Sequence, residues 1–125
     1  MTFTLINETK AKIPVIDFAG IKNAALGKKY ILNLVFTTSA QIKKLNTIYR
    51  NIEHGTDILS FPISKNEGEI YISEKESRIE AKKFERDYEN FLAFLFIHGC
   101  THLKGYDHGD IMESIEVKLR SKFKV

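Results

Sequence analysis

The chain has 125 residues, and its 19 Lys+Arg against 16 Asp+Glu leave a formal charge of only +3. With 43% hydrophobic and 28% charged residues, it has enough material for one core and no second, which excludes disordered and collagen-like classes. The single cysteine, Cys100, excludes an intramolecular disulfide framework and a CxxC zinc site, and points to a reducing, cytoplasmic setting.

No apolar run approaches the roughly 20 residues of a membrane span, and the opening MTFTLINETK lacks the basic-then-apolar order of a secretory signal; no membrane association is expected. No linker, repeat or low-complexity tract interrupts residues 1–125, which are expected to form a single domain. Phe3 and Leu5 alternating with Thr2 and Thr4 predict a first strand. After Pro14 the spacing Val15, Phe18, Ile21, Ala25 predicts a helix ending near Gly27. Tyr30 to Thr37 is β-branched and aromatic enough for a strand. Thr38 with Gln41 reads as a capping box opening a helix from Ser39 to Arg50, with Ile42, Leu45 and Ile48 or Tyr49 as its apolar stripe. A polar turn leads to a strand from Asp57 to Phe61, stopped by Pro62. A turn at Asn66 to Gly68 then precedes a strand from Glu69 to Ser73.

Ser73 with Glu76 forms a second capping box. Beyond it, the sequence permits one long helix to Lys104 or two helices separated near Lys83 to Asp87. Phe91 to Ile97 is apolar on every side, so this central helix is expected to be buried all round. Gly105 is placed to stop it in a left-handed conformation. Asp110 with Glu113 caps a last helix, with Met112, Ile115, Leu119 and Phe123 as the buried stripe. The mixture of strands and helices gives an α+β fold.

Three of the four histidines fall between His98 and His108. His98 and His102 are four residues apart on the central helix, so they lie only about 40° apart around its axis and reach one point. Gly105 reverses the chain, and His108 follows, giving His98-x-x-x-His102-x-x-Gly105-x-x-His108. Burying such polar groups unpartnered costs kilocalories each, and a shared metal removes that cost. Zinc is the first choice, and imidazoles also suit nickel, copper or iron(II). Cys100 lies about 200° around the helix from His98 and is expected to be a core residue; His54 is expected to be a solvated loop residue. The position that holds glutamate in the HExxH peptidases is Gly99. A peptidase of that type would lack its general base, whereas an open metal position still suits attack at phosphorus.

The run His98-Gly99-Cys100-Thr101-His102-Leu103-Lys104-Gly105-Tyr106-Asp107-His108 closely resembles the HGxLHLxGYDH signature of the YbeY family of bacterial rRNA-maturation endoribonucleases. Leu45-Asn46, Tyr49-Arg50 and Thr56-Asp57-Ile58-Leu59-Ser60-Phe61-Pro62 resemble that family's LN..YR and TDVLSFP blocks. Gly68 to Ser73 resembles its GDIxIS strand, and Met112 and Glu116 continue the order. The first 38 residues match only in general pattern. Thr101 stands where leucine is usual, Glu69 where aspartate is usual, and Glu85 where a glycine commonly separates two helices.

The resemblance implies an α+β fold with a small mixed sheet of about four strands, and a zinc held by His98, His102 and His108. It also implies metal-dependent cleavage of single-stranded RNA by a site comprising these histidines and Arg50. The implied role is maturation of the 3′ end of small-subunit rRNA with ribosome quality control, with rRNA and the small subunit or its proteins as partners. Arg50 alone reads equally well as a cation at a helix C-terminus or as a guanidinium gripping a phosphate; the resemblance favours the latter. Asp107 is a candidate acceptor for one imidazole or a plain turn carboxylate. Lys118, Arg120, Lys122 and Lys124 suit either RNA contact or a solvated face. The rivals to a nuclease are a zinc-stapled, non-catalytic ribosome-assembly factor and a zinc hydrolase of another substrate such as peptide.

Overall fold

Four segments rich in β-branched and aromatic residues pair into one mixed sheet in a computed structural model that describes residues 2–52, 55–106 and 109–125. They are β1 (Phe3–Asn7), β2 (Ile31–Thr37), β3 (Ile58–Ser64) and β4 (Glu67–Ser73), in the spatial order β1-β2-β4-β3. β1, β2 and β4 run parallel, and β3 is antiparallel to β4. Leu32, Leu34 and Phe36 of β2 lie in register with Gly68, Ile70 and Ile72 of β4, and the apolar side chains among them are fully buried. This is the floor on which the helices pack.

β3 does not stop at Pro62. It continues to Ser64 with an irregularity between Pro62 and Ser64, which an edge strand tolerates because one side of its backbone needs no ladder partner. The turn lies at Lys65–Asn66, earlier than predicted, which puts Gly68 inside β4. A Cβ at Gly68 would stand 2.5 Å from the Tyr30 hydroxyl and 3.0 Å from Leu103, so close packing sets the glycine there.

The first helix, α1 (Phe18–Leu26), begins later than its apolar spacing predicts. Asp17 caps it by accepting from the Gly20 amide at 3.0 Å, and Val15 precedes it, 92% exposed. Its buried face includes Lys22, whose ammonium donates to Thr2 Oγ1, Asn23 Oδ1 and the Lys28 carbonyl. α2 (Ser39–Arg50) starts as predicted, with Thr38 Oγ1 accepting from the Gln41 amide. Ile48 and Tyr49 are exposed and not part of its buried stripe, which consists of Ile42 and Asn46.

The region from Ser73 to Lys104 forms two helices, α3 (Glu74–Lys83) and α4 (Tyr88–Leu103). Between them Glu85 takes φ 54°, the left-handed conformation that a glycine adopts without steric cost. Asp87 then opens α4 by accepting from the Asn90 amide. α4 is the central helix: Phe91, Leu92, Leu95, Phe96, Ile97 and Cys100 are all buried. Gly105, at φ 102°, ends it, with its amide donating to the His102 carbonyl.

α5 (Asp110–Phe123) packs against α4. Its N-cap position is Gly109, not Asp110, which is a residue of the first turn. Asp110 and Glu113 still complement the positive end of the helix. Met112, Glu116 and Leu119 form the buried stripe, while Ile115 and Phe123 are half-buried. Among the described residues no helix is long and apolar enough to cross a membrane.

Candidate metal centre

One turn of α4 brings His98 and His102 together with ring centroids 4.6 Å apart and planes at 85°. Their Nε2 atoms are 3.1 Å apart. The other nitrogen of His98, Nδ1, lies 3.1 and 3.3 Å from the two carboxylate oxygens of Glu116 on α5. Glu116 is only 5% exposed, and Arg120 Nη1 stands 3.8 Å behind it. A carboxylate accepts, so a neutral His98 satisfies this contact with its proton on Nδ1 and its Nε2 lone pair facing His102.

This pair fits a metal. Two nitrogens bound at about 2.0–2.1 Å to a tetrahedral ion stand about 3.3 Å apart, close to the 3.1 Å observed. Among the described residues no third His, Cys, Asp or Glu completes a cluster with them. His108, expected as the third ligand, lies outside the described residues, as do Asp107 and His54.

Gly99 is enforced by packing. A Cβ there would meet Ile58 Cδ1 at 2.9 Å, Ile70 Cδ1 at 3.1 Å and Ser60 Oγ at 3.2 Å. Ser60 Oγ donates to the Gly99 carbonyl at 3.4 Å. The helix lies so close to β3 and β4 that the glutamate of an HExxH site has no room. Thr101, where leucine is usual, satisfies its buried hydroxyl by donating to the His98 carbonyl at 2.8 Å. Cys100 is fully buried, as expected of a core residue, and burial pushes its thiol pKa well above the ordinary range.

The imidazoles open into a cleft of about 640 Å³ that is also lined by Arg50, Asp57, Ser60 and Phe84. Arg50 is exposed at the C-terminus of α2, where Asn51 ends the helix in a left-handed conformation. The fold therefore brings Arg50, His98 and His102 to one cleft. Burial raises the Asp57 carboxyl above its ordinary value, partly offset by backbone hydrogen bonds and the Thr56 hydroxyl. The basic series on α5 is divided: Lys118, Lys122 and Lys124 are exposed, whereas Arg120 turns inward to Glu113, Glu116 and the ring of Phe94.

Glu116 is the site residue that the histidine spacing did not reveal. Its signal in the sequence is positional, a carboxylate standing between Met112 and Leu119 on an otherwise apolar helix face.

The family model described as Endoribonuclease YbeY matches residues 7–123. A protein named Endoribonuclease YbeY from Endomicrobium trichonymphae is 33% identical over 117 residues, covering 90% of this chain and 82% of that protein. One of the same name from Thermosipho melanesiensis is 42% identical over 85 residues, covering 66% of this chain and 62% of that protein. The solution structure of a Thermotoga maritima protein superposes with a TM-score of 0.67 at 24% identity, covering 98% of this chain and 91% of the other, and so shares the fold. With nearly its whole length matched by the family model, the chain belongs to the endoribonuclease YbeY family.

Proposed function

We propose that this protein is a zinc-dependent endoribonuclease that cleaves single-stranded RNA, acting in 3′-end maturation of small-subunit rRNA and in ribosome quality control. The observation that carries this reading is the pair of converging imidazoles, braced by a buried carboxylate, in a cleft that Arg50 shares. The names of the relatives supply the substrate class. The small ribosomal subunit or its proteins are the proposed partners, and the cytoplasm is the proposed location.

His98, His102 and His108 would hold the zinc, which supplies Lewis-acid stabilisation of the charge that develops at phosphorus. Glu116 keeps His98 in the tautomer that presents Nε2. Arg50 binds a phosphate of the strand through charge-assisted hydrogen bonds and holds it beside the imidazoles. Gly99 keeps the helix against the sheet and leaves no side chain beside His98 to serve peptide hydrolysis.

Incubating the metal-assayed protein with single-stranded RNA, structured RNA and casein tests the reading. The expected result is cleavage of RNA alone, lost in His102→Ala together with zinc. In Arg50→Ala cleavage should fall roughly 10- to 100-fold, the equivalent of one lost bond to a charged group, with zinc retained. His102→Ala with full zinc content and full RNA cleavage would overturn it. RNA binding without cleavage would select the assembly factor instead.

A further inference from the structure

We infer that Phe84 is a stacking platform for an unpaired nucleobase of the substrate, one or two nucleotides from the cleaved phosphate. This inference rests on the proposed RNA substrate. Phe84 caps the C-terminus of α3 and is 55% exposed, an unfavourable place for a large apolar ring. Its ring is nevertheless firmly placed. It stacks on Phe91 at 5.6 Å and 27°, and tilts against Phe94 at 6.1 Å and 43°. The turn beneath it is closed by backbone bonds from Phe84 to Glu80, Glu85 to Lys82 and Arg86 to Ala81.

With Phe91 and Phe94 against it, the remaining surface of Phe84 borders the same cleft as His98 and His102. Phe94 and Phe91 precede His98 by four and seven residues, about 6 and 10 Å of helix rise. A base on Phe84 therefore belongs to a nucleotide close to the one held at the imidazoles. Arg86 lies over Phe94 at 4.4 Å from its centroid and donates to Asn90 Oδ1, which braces the aromatic cluster that holds Phe84. A base inside a duplex already has both faces stacked and cannot use this ring, so the platform would select unpaired RNA.

The chain contains no tryptophan, so Phe84→Trp introduces a single tryptophan at the proposed contact, excited selectively over the tyrosines. Stopped-flow mixing of this variant, metal-loaded, with a short single-stranded RNA should quench its fluorescence before turnover, whereas inorganic polyphosphate should not. In steady state Phe84→Leu should raise KM for the same RNA roughly 5- to 100-fold, the range for one lost base–aromatic stack, with a much smaller loss in kcat. Phe84→Tyr should restore KM to near the parent value. An unchanged KM in Phe84→Leu, or equal quenching by polyphosphate, would overturn the platform while leaving the nuclease reading intact. Failure of the parent protein to bind or cut RNA at all would defeat the nuclease reading and the platform with it.

Discussion

Replacing Glu116 probes the candidate centre without touching a proposed ligand. Its two oxygens lie 3.1 and 3.3 Å from His98 Nδ1 in a nearly solvent-free position, so solvent screens the contact little. Outer acceptors of this kind change metal affinity by 10- to 100-fold, about 1.4–2.7 kcal/mol. Glu116→Ala should therefore weaken zinc binding by about that factor in competition against a fluorescent chelator. Glu116→Gln keeps the shape and one acceptor oxygen but loses the charge, and should fall between the two. Arg120 keeps Glu113 at 3.3 Å and the Phe94 ring, so the substitution does not leave a buried cation without company. In the zinc-free protein, long-range 15N NMR should find the His98 proton on Nδ1. Equal zinc affinity in Glu116→Ala, or a proton on Nε2 of His98 in the parent, would refute this account.

Four further outcomes follow from the same packing. Among the described residues the buried Tyr30 hydroxyl has no hydrogen-bond partner, so Tyr30→Phe should raise stability by about 1 kcal/mol in urea unfolding; a loss of stability would show that the hydroxyl is satisfied. Burial raises the Asp57 carboxyl above its ordinary 3.8, so the folded state binds this proton more tightly than the unfolded chain does, and the cost of the charge is present above the folded pKa and relieved below about pH 4. Asp57→Asn should accordingly unfold at higher urea than the parent at pH 7.5, with the gap closing at pH 4. Gly99→Glu would force a carboxylate against Ile58 and Ile70; calorimetry should show at least about 3 kcal/mol of destabilisation, and no peptidase activity should appear. Because metal ligation requires neutral imidazoles, zinc occupancy should fall below about pH 6, and a flat profile from pH 8 to 5 would contradict a histidine site.

Local signals read well where one residue decides the geometry. Thr38, Ser73 and Gly105 mark element ends because each meets a backbone requirement by itself, through a cap bond or a positive φ. Spacing misleads where tertiary context decides. Val15 fits the α1 stripe by spacing, yet Asp17 takes the cap and leaves Val15 in water. Pro62 reads as a stop, yet β3 is an edge strand and runs through it. Tyr49 turns from the helix core to pack edge-on against Phe61 at 5.6 Å. For the site, the i, i+4 histidines were legible because one helix turn contains both. Glu116 lies 18 residues away on another helix, and only the packing of α5 on α4 brings it to His98.

The centre thus depends on three elements held by separate core contacts. α4 carries the imidazoles and is fixed by its buried aromatic face. α5 carries the brace and is anchored by Met112 and Leu119, which flank Glu116 on the same stripe. α2 carries Arg50 at its end and is held by Ile42. Residues on such anchored elements keep their relative positions more closely than residues on loops do. The close approach that removes the side chain at position 99 is part of the same design, because it sets α4 against Ile58 and Ser60 of β3, and β3 follows α2 in the chain. Widening that contact would therefore move the imidazoles relative to Arg50, which borders the same cleft, as well as loosen the core.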